Sequence, residues 1–175
     1  YNFAYRGGGF FSNNSTINIE DNIIPYNTSQ SDGGGIYTEF SNVILKDNHI
    51  SHNTAAKGGG VFLDFSGTAT ISNNTILGNT AAYDGGGAYI NFGANNLIQN
   101  NRFNSNSCTD GDGGGIYQRN GTNTYLQNEF ENNSSRFGGG MYFDGGTNNI
   151  IQNNIHHNTS NFRGGGLFAE FGTNQ

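Results

Sequence analysis

The sequence predicts an all-β fold, a right-handed, single-stranded parallel β-helix (solenoid) of about seven coils with 25–28 residues per coil. Three observations predict it. A Gly-Gly-Gly triplet starts at Gly7, Gly33, Gly58, Gly85, Gly113, Gly138 and Gly164, in steps of 26, 25, 27, 28, 25 and 26 residues. Between triplets runs a second pattern, Φ-x-x-N-x-Φ-x-x-N, where Φ is a large apolar or aromatic residue. No stretch shows the 3.6-residue apolar period of a helix, and Gly and Asn, both poor helix formers, recur every few residues.

Each element of the coil follows from these columns. After every triplet comes an apolar residue (Phe10, Ile36, Val61, Ala88, Ile116, Met141, Leu167), then an aromatic one (Phe11, Tyr37, Phe62, Tyr89, Tyr117, Tyr142, Phe168). The alternation continues in "GGGVFLDF", with Val61, Leu63 and Phe65 on one side and Phe62 and Asp64 on the other, and in "GGGAYINF", with Ala88, Ile90 and Phe92 together. That period of two marks a short strand. Two further apolar columns, Ile19, Leu45, Ile71, Ile98, Tyr125, Ile150 and Ile24, Ile50, Ile76, Phe103, Phe130, Ile155, give about three strands per coil. Equivalent strands stack at about 4.8 Å, so the coils make a rod roughly 30 Å long.

The asparagines form two columns: Asn22, Asn48, Asn74, Asn101, Asn128, Asn153, and Asn2, Asn27, Asn53, Asn79, Asn106, Asn133, Asn158. An amide both donates and accepts, so stacked Asn side chains can hydrogen-bond from coil to coil. A Ser/Thr column and then a small-residue column follow, and the lone Cys108 falls in the latter, which reads as a small buried residue rather than a reactive thiol. Length varies only between the second Asn and the triplet, and between the triplet and that Asn, which places surface turns there. The glycines permit positive φ and close backbone approach where the chain turns sharply.

Composition narrows the function. Charged residues are 11% and hydrophobic residues 33%, with a net charge of −6. A nucleic-acid partner is not expected, because a basic stripe is missing. No apolar run approaches the length of a membrane span. The single domain, residues 1–175, shows no polar cap at either end, which predicts a piece of a longer array or a subunit that stacks on others end to end.

The quoted motifs resemble the right-handed parallel β-helix repeat of pectin-lyase-like proteins. They are nearest in style to the passenger repeats of chlamydial polymorphic outer membrane proteins, which repeat F-x-x-N and G-G-A-[ILV]. "FNSN" (Phe103 to Asn106) and "FENN" (Phe130 to Asn133) match the first, and G-G-G-Φ stands in for the second. The resemblance implies an extracellular or cell-surface module, non-enzymatic and structural or adhesive, able to form a fibre. The alternative it implies is a polysaccharide-binding or -cleaving β-helix of lyase or glycosidase type. The paired aspartates, G-H-G and R-I-K of β-helix polygalacturonases and the D-P-H-E of mannuronan epimerases are missing, so no catalytic residue is assigned.

Candidate binding residues are the aromatic column. With their apolar neighbours facing in, Phe11, Tyr37, Phe62, Tyr89, Tyr117, Tyr142 and Phe168 are expected to face out as one apolar strip, suited to a glycan or a neighbouring rod. The alternative is a ladder stacked only on itself. Asn13, Glu39, Asp64, Asn91, Arg119, Asp144 and Glu170 share that outward side as a second row. Asn14 and Asn120 begin N-x-[ST] sequons near a turn and are candidate glycosylation sites. No cofactor or metal is expected. Asp110 and Asp112 hint at a calcium loop but fall short of its roughly six oxygens, and the pairs His49/His52 and His156/His157 lie four coils apart and read as solvated surface residues.

Overall fold

The computed structural model describes residues 1–64 and 67–175. Among them every regular element is a β-strand, arranged in four parallel sheets of seven, seven, seven and six strands. Each coil supplies one strand to each sheet. In the central coil these are the triplet strand Val61–Asp64, the first-column strand Ala69–Ser72, the second-column strand Thr75–Leu77 and the short strand Thr80–Ala81. The fourth strand corrects the expectation of three. It is built from the Ser/Thr and small-residue columns, too short to leave a periodic signal.

The register is one residue to one residue along the rod, apart from a shift between Ser135 and Phe137 in the short-strand sheet. Val61 pairs with Ile36 on one side and Ala88 on the other, and Ile76 lies between Ile50 and Phe103. The core is accordingly a narrow column of like side chains, with Ile36, Leu45, Ile50, Leu63, Ile98, Phe103 and Phe130 fully buried. Parallel crossovers of this kind take the right hand.

The corners of the coil are made by left-handed residues. In the second coil there are four, Phe40 (φ 49°), Asp47 (φ 56°), His52 (φ 54°) and Gly58 (φ 60°). The asparagines of the two ladder columns are not left-handed; from Asn22 and Asn27 onward the residue just before each one is. The left-handed turn folds the ladder Asn inward, where its side chain meets the next coil's Asn. The triplet strand also ends one residue sooner than the alternation suggests, since Phe92 adopts φ 59° and turns out of the strand. Phe65 lies outside the described residues.

The three triplet glycines have three different reasons. Gly58 needs its positive φ. A Cβ on Gly59 would sit 2.5 Å from the carbonyl oxygens of both Gly86 and Thr80, and one on Gly60 2.6 Å from the Gly87 oxygen and 3.0 Å from Asn79 Nδ2. Neighbouring triplets lie backbone on backbone, joined by bonds such as Gly58 N to Asp84 O (2.9 Å) and Gly59 N to Gly85 O (3.1 Å).

Both asparagine ladders are continuous. Asn74 Oδ1 accepts from the backbone N (2.9 Å) and Nδ2 (3.0 Å) of Asn48, while Asn74 Nδ2 donates to Leu45 O (2.8 Å) and Asn101 Oδ1 (2.9 Å). The second ladder repeats this geometry through Asn53, Asn79, Asn106 and Asn133, all fully buried. A third ladder, not seen in the sequence, joins Asn96, Asn123, Asn148 and Asn174 at 2.9–3.1 Å. It takes over a column that starts with Ile17, Val43 and Ala69. Part of the core is thus apolar at one end and hydrogen-bonded at the other.

Candidate functional site

The triplet strands turn every second side chain away from the main core, as the alternation requires, but not into water. Tyr37, Phe62, Tyr89, Tyr117 and Tyr142 are buried; only the end members are open, Phe11 by 48% and Phe168 in part. The expected exposed strip is therefore corrected to a second, thin core. Its rings stack with centroids 4.6–5.5 Å apart, close to the strand spacing. The glycine corner folds the incoming segment back over the rings. The Arg6 guanidinium sits 5.3 Å from the Tyr37 ring centre, the Lys57 ammonium 5.3 Å from that of Tyr89, and Phe137 packs on Phe168.

The acidic row lies in register beside this ladder and binds its phenols. Tyr37 Oη reaches Glu39 (3.1 Å), Tyr117 Oη reaches Asp144 (3.2 Å), and Tyr142 donates to Glu170. Arg119 and Asp144 stand 3.8 Å apart. Burial, reinforced by Asp84, pushes the Tyr89 phenol up to about 12, against about 10 for a free tyrosine. A folded-state value raised in this way gives stability that is full below pH 10 and lost as pH rises toward 12. The two-unit gap corresponds to about 2–3 kcal/mol. Tyr89→Phe should therefore lose less stability than wild type between pH 8 and about 11.5, measured by denaturant titration; equal losses would contradict the buried, neutral phenol.

The second-column sheet turns a charged cluster outward. Arg102 pairs with Glu129 (2.9 Å) and with Glu131 Oε2 (3.0 Å), and Asn104 Nδ2 also donates to Glu131 Oε2 (3.1 Å). Register places Glu131 beside His156 in the next coil. His156 Nε2 is 3.5 Å from Glu129 Oε1, and its Nδ1 is 2.8 Å from Nδ1 of His157. Glu131, His156 and His157 bring a ligand atom each within 4.8 Å of one another, the one such group among the described residues.

The profile of one family, described as "Periplasmic copper-binding protein (NosD)", matches residues 2–168. The chain belongs to the NosD family. No curated protein and no solved structure matches it. NosD membership agrees with the parallel β-helix repeat, and the family's periplasmic description puts the chain outside the cytoplasm. Among the described residues no helix is long and apolar enough to cross a membrane.

Within this NosD chain the remaining candidates fall apart or into place as follows. Asp110 is exposed, whereas Asp112 is held by Arg136 at 3.2 and 3.3 Å and by the Phe137 amide at 3.2 Å, so the pair does not converge on an ion. Burial raises the Asp112 carboxyl despite that arginine. His52 stacks on Tyr26 at 5.0 Å, far along the rod from the His156/His157 cluster. Cys108 is buried against the Asp112 carbonyl (3.4 Å), and burial pushes its thiol up. Asn14 and Asn120 both occupy the left-handed turn after a triplet strand, at φ 50° and 56°. What the sequence missed was Glu131 as partner to the histidines. The signal was present: aligning Phe130 with Ile155 in the second apolar column puts Glu131 level with His156.

Proposed function

We propose that this chain is a non-enzymatic β-helix rod outside the cytoplasm, a structural or adhesive module that associates with further rods end to end or side by side and carries a copper ion on its outer face. The use of the interior supports this reading most. Three Asn ladders, one apolar core and one aromatic ladder consume the inward-facing chemistry, leaving stiffness and the outward columns to do the work. The copper comes from the NosD description, and the donor set fits it: two imidazoles and a carboxylate are ligands that suit Cu(II).

Electron microscopy and sedimentation of the purified chain test the rod. Elongated particles that lengthen or bundle with concentration are expected. A species that stays monomeric at every concentration would remove self-association from the reading.

A second reading, polysaccharide binding or cleavage, draws on a cleft of about 430 Å³ near the last coils, walled by Arg136, Phe137, Phe162, Arg163 and Phe168 together with Asp112, Tyr142 and Glu170. Aromatic faces suit a sugar ring, and Arg163 suits a sugar carboxylate, since Arg136 is already bound to Asp112. Calorimetric titration with uronate oligosaccharides, and an assay for their cleavage, decides against the simple rod if either gives a signal.

A further inference from the structure

We propose that His156, His157 and Glu131 form the copper site, with Glu129 as the outer partner that orients His156. The proposal deepens the copper reading above and rests on it for the identity of the metal. Its geometry comes from the fold alone.

Successive strand residues point to opposite faces, so two adjacent histidines should not meet. Here they do, because His156 ends the strand Asn154–His156 and His157 occupies the left-handed corner at φ 53°. The corner swings the second ring round until the two Nδ1 atoms are 2.8 Å apart, with the rings edge to face at 85°. Two ligands at right angles, each about 2.0 Å from an ion, are about 2.8 Å apart; tetrahedral ligands would be about 3.3 Å apart. Both Nδ1 atoms are thus within a small ring rotation of meeting one ion, and for nitrogen and oxygen ligands the general order of divalent affinities places Cu(II) above Zn(II).

The surroundings complete the site. Arg102 and Asn104 both bind Oε2 of Glu131, which fixes that carboxylate in a position from which one of its oxygens lies within 4.8 Å of a nitrogen of each histidine. In the metal-free pair, one Nδ1 donates its proton to the other. For both Nδ1 atoms to bind an ion, that proton moves to the ring's Nε2, with no net proton released. On His156 that nitrogen lies 3.5 Å from Glu129 Oε1, so the proton stays on Nε2 and the carboxylate is placed to accept a hydrogen bond from it. A metal-bound imidazole whose other nitrogen donates to a carboxylate is the usual outer-partner arrangement. The remaining positions around the ion stay open to water, since His157 is exposed and His156 and Glu131 half-buried.

The test is Cu(II) titration of the whole chain, followed by calorimetry and electron paramagnetic resonance, with circular dichroism to confirm that each variant folds. One tight Cu(II) per chain is expected, with hyperfine structure from two nitrogens and weaker Zn(II) binding. His156→Gln and His157→Gln should each weaken binding on the order of 100-fold or more, and Glu129→Gln about 10-fold. The double variant His49→Gln/His52→Gln should bind as wild type. No binding by the wild-type chain would overturn the copper reading itself. Wild-type binding that survives the His156/His157 variants, or that is lost in the His49/His52 variant, would overturn this site while leaving the reading intact.

Discussion

Asn79→Ala is expected to destabilise the rod by about 3–6 kcal/mol, because it strands several buried groups at once. Asn79 Oδ1 accepts from both the backbone N (2.9 Å) and Nδ2 (3.0 Å) of Asn53, and Asn79 Nδ2 donates to Ile50 O (3.0 Å) and Asn106 Oδ1 (3.0 Å). Truncation leaves the Asn53 amide and the Ile50 carbonyl in a dry interior, at about 1–3 kcal/mol for each unpaired group. Asn22→Ala removes a member of the other ladder at its exposed end, where water replaces the lost bonds, so it should cost under about 1 kcal/mol. Asn79→Asp separates hydrogen bonding from shape. The introduced carboxyl has no amide donor and must stay protonated to fit. Its folded-state pKa is raised, so this variant should be stable at low pH and weaken as pH rises. Denaturant titrations at pH 4 and pH 7 check all three, and equal costs at positions 22 and 79 would show that the ladder contributes nothing beyond packing.

Gly59→Ala is expected to be at least as damaging, on the order of 4 kcal/mol or more, although it adds one methyl group. The new Cβ meets two carbonyl oxygens at 2.5 Å, those of Gly86 and Thr80, and both are backbone atoms that cannot rotate away. Relief requires the coils to separate, and opening one junction breaks the ladders that cross it. Gly78 supplies the contrast. Its φ is +61°, but the nearest atoms to its Cβ belong to the His52 ring, at 3.2 Å and beyond. The equivalent corner in other coils holds Tyr26, His52, Ser105, Asn132 and His157. Gly78→Asn should therefore be neutral or stabilise slightly, through the smaller entropy of the unfolded chain. If both glycine variants cost the same, crowding between coils is not what fixes the triplet.

Most of the fold is legible in the sequence because a solenoid writes each structural position once per coil. The steps between triplets set the coil length, and the columns that stay apolar or aromatic in every coil identify what faces the core. The Asn columns announce the ladders before any coordinates are seen, since no other neutral side chain both donates and accepts at that reach. What the sequence left out was short or interrupted. The two-residue strands such as Thr80–Ala81 carry no period, and the Asn96–Asn123–Asn148–Asn174 ladder occupies a column that begins with apolar residues. The aromatic column shows the sharper limit. Alternation correctly sends Tyr37, Phe62 and Tyr89 away from the main core, but "away from the core" and "into water" differ when a corner folds a neighbouring segment over them.

The sequence by itself determined the repeat, the parallel stacking of like on like and the identity of the ladder residues, because these depend only on period and residue type. The tertiary structure alone decided which outward residues are wet and which side chains from different coils converge. The left-handed corners set both. They press Arg6 and Lys57 onto the aromatic rings, and they turn His157 back toward His156 beneath Glu131. A backbone angle at one residue redirects a side chain through most of a half-turn, and the spacing of letters along a chain does not record that rotation.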